Sequence, residues 1–440
     1  MILWLTAHLA TATPYADGVA GMEEQSIPEA IAERQAAVDA SPTNAQAWWR
    51  LGWAHWADGD FVDVIRCWER TAELDPSHAG PGFWLPAAHY RLTTAVGPQV
   101  MLKISDKPTD PAIRIVAAGD TMLGSDLRRG ADGLPPDDGA GLLAPFADTF
   151  RDADVAFLNL EGTLADGVPS TKCGPQSTSC YAFRTPTRFT KALTSVGIDV
   201  VSHANNHAMD LAEPGMISTA EALDAAGIAH AGRYSDVAMV EAADLKIAVV
   251  AAHSGECCLN VNDLHEVVTA VTWADQEADL VIFTFHGGAE GSRARHVPGK
   301  TEIAWGERRG DVKALARVAV DAGADLVLGH GPHVLRAMEV YKGRLIAYSL
   351  GNFVGYRQFG TKGGYTGTSA ILDVTLSKNG AVDGARLHPV LLDAEAVPKP
   401  DPSGKAYGQV NELSAADFPD TAVRVDDNGV LSWGDPVEAP

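Results

Sequence analysis

The sequence predicts an α/β sandwich whose strand ends converge on a divalent-metal site, preceded by a small all-α region. Three observations lead there. From Ile113 onward, short β-branched runs alternate with amphipathic helical stretches, the pattern of buried sheets covered by helices. Five of those runs end on Asp, Glu, Asn or His beside glycine. The first hundred residues instead carry apolar side chains at helical spacing.

Size and charge bound the function. At 440 residues the chain is long enough for two or more units, and its 46% hydrophobic and 21% charged composition suits a folded protein with a large core. A formal net charge of -23 argues against nucleic acid as a partner, because that binding relies on Lys and Arg neutralising phosphates. The same charge repels an anionic substrate unless bound cations reverse the local field. Five cysteines are too few for a disulfide scaffold. Cys173 and Cys180 flank CGPQSTSC, which is either a small bridged loop or two unpaired thiols. Cys257 and Cys258 are adjacent and are not expected to bridge each other. Without a Cys-x-x-Cys pair, a structural zinc site has little support.

The elements follow in order. Residues 1–20 combine a short apolar stretch with small residues, as in a secretory signal, although no Lys or Arg precedes it. The stretch is too short to span a bilayer, and export (periplasmic or envelope-associated) is the expected localisation. Residues 25–100 contain three helical patterns, PEAIAERQAAVDA, AQAWWRLGWAHWA and FVDVIRCWERTAEL. Pro42 and Pro76 lie 34 residues apart, the tetratricopeptide period, with Trp48, Leu51, Gly52, Trp68 and Pro76 at the positions that repeat prefers. His55, Val64 and Thr71 depart from it. The region reads either as one tetratricopeptide-like repeat that docks on the main domain or on a partner, or as a plain helical hairpin packed on the main domain. A linker, SDKPTDPA, leads into a domain expected over 111–397. Its strands are IRIVAA, VAFLNL, DVVS, KIAVVAA, DLVIFTF, DLVLG and RLIAYSL; TRFTKALTSVG, MISTAEALDAAG and DVKALARVAVDAG are helices between them. The Pro-, Asp- and Gly-rich residues 398–440 are expected to form a tail wrapping the domain.

The chemistry sits where the strands stop. IRIVAA runs into Gly119-Asp120, VAFLNL into Glu161-Gly162 and DVVS into HANNH; DLVIFTF leads to His286, and DLVLG to His330 and His333. In open α/β sheets ligands bind beyond the carboxyl ends of the strands, so these placements direct Asp120, Glu161, Asn206, His207, His286, His330 and His333 to one edge. Carboxylate, carboxamide and imidazole without thiolate suit one or two divalent ions such as Mn, Fe, Zn or Mg. Two such ions clamp an oxyanion, activate water and supply the positive field that an acidic protein needs. No Gly-x-Ser-x-Gly elbow, phosphate-binding P-loop or Gly-x-Gly-x-x-Gly turn occurs. His203 is read as structural, His253 and Asn352 as either pocket-lining or structural, and Glu290 as a group behind the ligands.

The motifs GD (119–120), NLEG (159–162), ANNHAMD (204–210), HGGAEG (286–291), GHGPHV (329–334) and YSLGNF (348–353) resemble those of the CapA/PgsA family of capsule and poly-γ-glutamate biosynthesis proteins. CGPQSTSCYAFRTP is similar to a segment of one branch of it, and the resemblance spans roughly residues 113 to 395. It implies a calcineurin-like metallophosphoesterase α/β/β/α sandwich. It also implies that Asp120 binds one metal, Glu161 bridges, Asn206 and His286 serve the second metal, and His330 and His333 close the site. His207 then matches the histidine that protonates a leaving group, oriented by Asp210.

Three departures stand against that pattern. Thr121 and Met122 follow Asp120 where phosphoesterases have Asp-x-His, Glu161 replaces a bridging Asp, and Gly331-Pro332 separates the closing histidines. These departures weigh on phosphatase activity more than on the fold. From the strand-end constellation, the expected function is metal-dependent hydrolysis of a phosphoester or related anion in capsule or poly-γ-glutamate metabolism. The alternative is a non-catalytic polyanion-binding assembly or export subunit that recruits a protein partner through residues 25–100.

Overall fold

A computed structural model describes residues 18, 22, 26–58, 60–82, 84–85, 88, 101–105, 112–170, 172–173, 180–233, 236–255, 257–359 and 364–434. The chain divides into two compact units, 1–99 and 100–440. Apart from Gly18, the expected signal segment lies outside the described residues.

The first unit contains the helices Ile27–Ala40, Ala45–Asp58 and Phe61–Leu74, matching the three apolar periodicities. The first two expected breaks hold: Pro42 and Pro76 each fall two residues past a helix end. The helices pack on indoles, with Trp49 and Trp68 both fully buried and their rings 4.9 Å apart. Gly52 permits this, since a Cβ there would stand 2.2 Å from Trp68 Nε1.

The second unit is built on two mixed sheets, each eight-stranded among the described residues. In one, Ala112–Met122, Val155–Leu160, Val200–Ser202 and Ala229–Ala231 run parallel, and Asn352–Gly355 joins the end of Ala112–Met122. Thr368–Ser377, Val382–Leu392 and Pro398–Pro400 extend that sheet antiparallel. In the other, Leu245–His253, Leu280–His286, Leu326–His330 and Arg344–Ala347 run parallel, flanked by Val237–Ala242 and Met338–Tyr341. Strands such as Val155–Leu160 and Leu280–His286 are buried at every residue, as sheets covered on both faces require.

The sheets face each other across a core that includes Ile115, Phe157 and Val200 from one and Val249, Ile282 and Leu328 from the other. Outside the second sheet lie Leu264–Glu277 and Val312–Asp321, the latter burying Val312, Leu315, Ala316, Ala319 and Val320 at helical spacing behind its Asp311 cap. Outside the first, Phe150, Leu193 and Leu223 of three helices cover Val116, Leu158 and Val201. The result is the α/β/β/α sandwich that the resemblance implied.

The boundaries reach further than 111–397. Leu102–Ser105 pairs with Val237–Ala242, so an edge strand precedes the expected linker and takes in its first residue. Residues 398–434, expected as a tail wrapping the domain, contribute ordered elements to it: Pro398–Pro400 pairs with Val382–Leu392, and the helix Lys405–Asp417 buries Ala406, Val410 and Leu413 in the core. Those apolar positions recur at helical spacing between Pro- and Asp-rich ends, whose composition masks them.

Cys173 and Cys180 form a disulfide, closing the loop that the sequence left open. Cys257 and Cys258, expected not to bridge, are joined as a vicinal pair. The short loop after His253 must return the chain so that Leu259–Asn260 pairs beside Ala252 and His253, and both buried sulfurs are confined together in that turn.

Candidate metal centre

Register places the polar residues before any side-chain contact does. On one sheet Asp120 pairs with Asn159 on one side and Asn352 on the other. On the facing sheet His286 pairs with His253 and His330. Rows of carboxylate and carboxamide therefore oppose a row of imidazoles between two sheets, rather than along the edge of one. The strand ends approach closely: Asp120 N donates to Gly351 O at 2.9 Å, and a Cβ on Gly119 would lie 2.0 Å from that same oxygen.

Asp120 is the hub. It is fully buried, and Asn159 Nδ2 donates to its Oδ1 at 2.8 Å. Its oxygens lie 3.5 Å from His330 Nδ1, 4.0 Å from His286 Nδ1 and 3.0 Å from His333 Nδ1. His333 arrives there in the left-handed region (φ 59°), following Gly331, whose own φ of 109° and 3.0 Å approach to Gly287 exclude a side chain. His333 Nε2 is 3.6 Å from Glu161 Oε1, and Asn352 Oδ1 is 2.9 Å from its Nδ1. Asp120, Glu161 and His333 thus present ligand atoms that all lie within 4.8 Å of one another.

His207 faces the same point from the other side. Its Nδ1 is 2.7 Å from Asp210 Oδ2 and its Nε2 is 3.8 Å from Glu161 Oε1. Phe183 covers the ring at 4.2 Å, and Phe183 N and Lys172 Nζ donate to Asp210. Asn206 is half-buried, while its neighbour Asn205 ties Leu160 O and Asn159 to the loop through its own amide.

Several buried polar atoms here have no hydrogen-bond partner: Asp120 Oδ2, both oxygens of Glu161, Asn206 Oδ1, His286 Nε2, and both ring nitrogens of His330. Leaving so many buried polar atoms unpaired costs about 1–3 kcal/mol each. Acceptors converging on one small volume are what divalent cations satisfy, and this donor set of carboxylate, carboxamide and imidazole suits them. Electrostatics agree. Burial opposes the Asp120 carboxylate, but His330, His333 and His286 hold it well below the usual range. Burial, with Asp120 and Glu290 adding to it, drives Glu161 well above. Burial also opposes charge on His333, yet Glu161 and Asp120 push it up to about 10. Glu161 and His333 are thus biased toward their protonated forms, whereas burial disfavours the proton on His286 and on His207.

All eight sequence-predicted residues lie in or immediately around this cleft. Asp120, Glu161 and His333 are drawn into one cluster, with His286, His330 and His207 touching it. Asp210 holds His207, and Asn206 leaves a bare oxygen. Asn352 holds His333, and His253 Nδ1 meets His286 O at 2.9 Å, whereas His203 is buried with an unpartnered Nε2. Met122 occupies no ligand role; Gly124 N donates to its sulfur at 3.1 Å. Sequence reasoning missed Asn159 and Lys172. An asparagine inside the apolar run VAFLNL was the available signal, since a buried strand tolerates an amide only where partners await it. Lys172 carried none. A second grouping, His55, Asp60 and Asp63, lies in the first unit, but Asp60 caps a helix and Asp63 pairs with Arg66 at 2.9 Å.

Among the described residues no helix is long and apolar enough to cross a membrane. Comparison with known proteins assigns the chain. Residues 114–357 match the family model of the bacterial capsule synthesis protein PGA_cap. The chain is 29% identical to the PGA biosynthesis protein CapA of Bacillus subtilis, over 66% of this chain and 74% of that one. It is 32% identical to the capsule biosynthesis protein CapA of Bacillus anthracis, over 48% and 51%. It is 27% identical to the uncharacterized protein y4sH of Sinorhizobium fredii, over 54% of this chain and 65% of that relative's length. The match thus spans just under two thirds of that rhizobial relative and about half of the anthracis one. With the family model matched over more than half its length, the chain belongs to the PGA_cap family of bacterial capsule synthesis proteins.

Proposed function

We propose that this chain is a metal-dependent hydrolase of a phosphoester or related anion in capsule or poly-γ-glutamate metabolism. The observation that carries the reading is the set of buried, unpartnered ligand atoms on Asp120, Glu161, Asn206, His286 and His330. Asp120, Glu161 and His333 would hold one ion, with Asn206, His286 and His330 serving a second; Mn, Fe, Zn or Mg each suits such ligands. When bound, such ions supply Lewis acidity and lower the pKa of water toward neutrality.

The chain's own residues do the rest. His207 directs Nε2 into the cleft while Asp210 fixes its Nδ1, the orientation that a general acid needs to hand a proton to a leaving oxygen. Asn159, Asn205 and Asn352 hold the ligand loops in register. The rings of Phe183 and Phe359 lie with centroids 4.2 Å from His207 and 5.1 Å from His333, an apolar flank to the approach. Two disulfides support export, since such bonds persist in oxidising compartments.

Metal analysis of the purified protein and of Asp120→Ala, paired with a phosphoester panel, tests this. Bound metal lost in the variant, with turnover in wild type and about 10²-fold or greater loss in His207→Ala, is expected. Wild-type protein that takes up none of the four metals overturns the reading.

A second reading is favoured by Met122, whose thioether stands where the resembled enzymes have a ligand and is engaged by Gly124. With that ligand missing, the site would bind a polyanion without turning it over, and the helical unit would recruit a protein partner. Partner binding that survives His207→Ala and is lost on deletion of residues 25–100 distinguishes it.

A further inference from the structure

We propose that Arg309 and the adjoining Ile303–Arg308 hairpin form an anion-recognition site beside the metal ligands, built to seat an oxyanion group of an extended anionic chain. The inference rests on the hydrolase reading above and names its substrate contact.

Arg309 is 2% exposed, yet its Nη1 has no hydrogen-bond partner. Its Nε donates to Glu307 Oε2 at 2.9 Å, and its Nη2 stands 3.4 Å from Glu290 Oε1. A guanidinium carries five N–H groups in a rigid fork that matches carboxylate and phosphate, so an unpaired edge of it suits an oxyanion. The backbone fixes where that edge lies. Arg309 O accepts from Gly288 N at 2.8 Å, and a Cβ on Gly287 would come within 2.9 Å of the same carbonyl. Arg309 is thereby clamped to the loop that leaves His286. Its charge is felt at Glu161, His253 and His286 alike.

The surroundings extend the site outward. Trp305 at the hairpin tip is 77% exposed and Ile303 63%, and Trp305 Nε1 donates to Glu290 Oε2 at 2.7 Å. Beside them a cavity of about 420 Å³ is lined by Glu290, Arg293, His296 and Lys300. Arg293 and Lys300 are exposed, and neither forms an ion pair among the described residues. The acids here already have partners: Glu302 is held by Arg336 at 2.8 and 2.7 Å, Glu307 by Arg309 Nε at 2.9 Å, and Asp417 Oδ1 stands 2.8 Å from His296 Nδ1. In a chain of net charge -23 this leaves Arg293 and Lys300 as uncommitted cations beside the loop that follows His286. Exposed large apolar side chains rimmed by charge mark binding surfaces, and charge-assisted hydrogen bonds from cationic side chains suit repeated anionic groups.

Two sources share this chemistry: side-chain carboxylates of a γ-linked glutamate chain, and phosphates of a phosphodiester chain. Equilibrium binding to the full-length, Mn-loaded protein tests the site, with inorganic phosphate, a labelled γ-glutamate oligomer and polyphosphate of equal length as probes. Metal content and melting temperature are measured on every preparation. Arg309→Lys keeps the charge that pairs Glu290 and Glu307 but loses the fork, and should weaken all three probes about tenfold or more. Trp305→Ala lies on the surface; it should weaken both oligomers about fivefold and leave phosphate unchanged. The tighter of the two oligomers identifies the source. Folded, metal-loaded variants that bind every probe within twofold of wild type overturn the inference and make Arg309 a structural ion-pair residue. Wild type that binds no metal overturns the hydrolase reading instead. Should Arg309→Lys fail to fold, Trp305→Ala decides alone.

Discussion

Replacing Asn352 by alanine should loosen the metal site without removing a ligand. Asn352 is 2% exposed, and its Oδ1 stands 2.9 Å from His333 Nδ1. That contact, with Asp120 Oδ2 at 3.0 Å, fixes the ring so that Nε2 points toward Glu161. Partners that orient a ligating histidine are worth 10–100-fold in metal affinity, or about 1.4–2.7 kcal/mol. Asn352 Nδ2 also donates to Thr366 O at 3.1 Å, so the variant should lose about 1 kcal/mol of stability besides. Chelator competition with Mn²⁺ or Zn²⁺ at fixed pH reads the affinity, and a denaturant titration reads the stability. Asn352→Asp retains the acceptor and should remain within a few-fold of wild type. A folded Asn352→Ala protein with unchanged affinity, or an Asp variant as weak as the Ala one, would refute the positioning argument.

Metal uptake should release protons. His333, pushed up to about 10 by Glu161 and Asp120 against the opposing effect of burial, and Glu161, raised by burial, must both deprotonate to ligate, so apparent affinity should fall as pH drops. Calorimetry in buffers of different ionisation enthalpy counts those protons, and a count of zero contradicts the site. Asp373 is held at about 2 despite partial burial, because His388 and Arg114 donate to its carboxylate. Its folded value lies below its unfolded one, so its stabilisation is complete above about pH 4 and lost as pH falls through about 2. Discounted for partial exposure it is about 1–2 kcal/mol, and it should appear as a gap between wild type and Asp373→Asn that closes in acid. Four cysteines are bridged and burial pushes the Cys67 thiol up to about 12, so native, unreduced protein should show no fast-reacting thiol with an aromatic disulfide reagent. Phe157→Ala empties a fully buried position between the sheets and should cost about 3–5 kcal/mol in the unfolding transition of the second unit.

Much of this molecule was legible in the chain because its signals are local. VAFLNL, DLVIFTF and DLVLG announce buried strands by composition alone, and the structure places them at Val155–Leu160, Leu280–His286 and Leu326–His330. Asp120, Glu161, His286 and His330 stand out in the chain because each follows or ends a strand beside glycine, His333 because it follows Gly331-Pro332, and Asn206 and His207 because they follow a strand; strand ends are where α/β folds place ligands. The helix Lys405–Asp417 was hidden by its Pro- and Asp-rich flanks, and the Cys257–Cys258 bridge by a turn that only strand pairing imposes.

What the sequence by itself determined was the kinds of ligand and the order in which strands deliver them, since periodicity and turn chemistry act over a few residues. Which atoms meet was decided by tertiary structure. Two sheets had to pack face to face before Asn352, Asp120 and Asn159 could oppose His253, His286 and His330. Only then did Asn352 reach His333, and only then was Arg309 buried with one edge of its guanidinium unpaired. Register between strands more than a hundred residues apart depends on how both sheets bury their inner faces, and no local pattern records that.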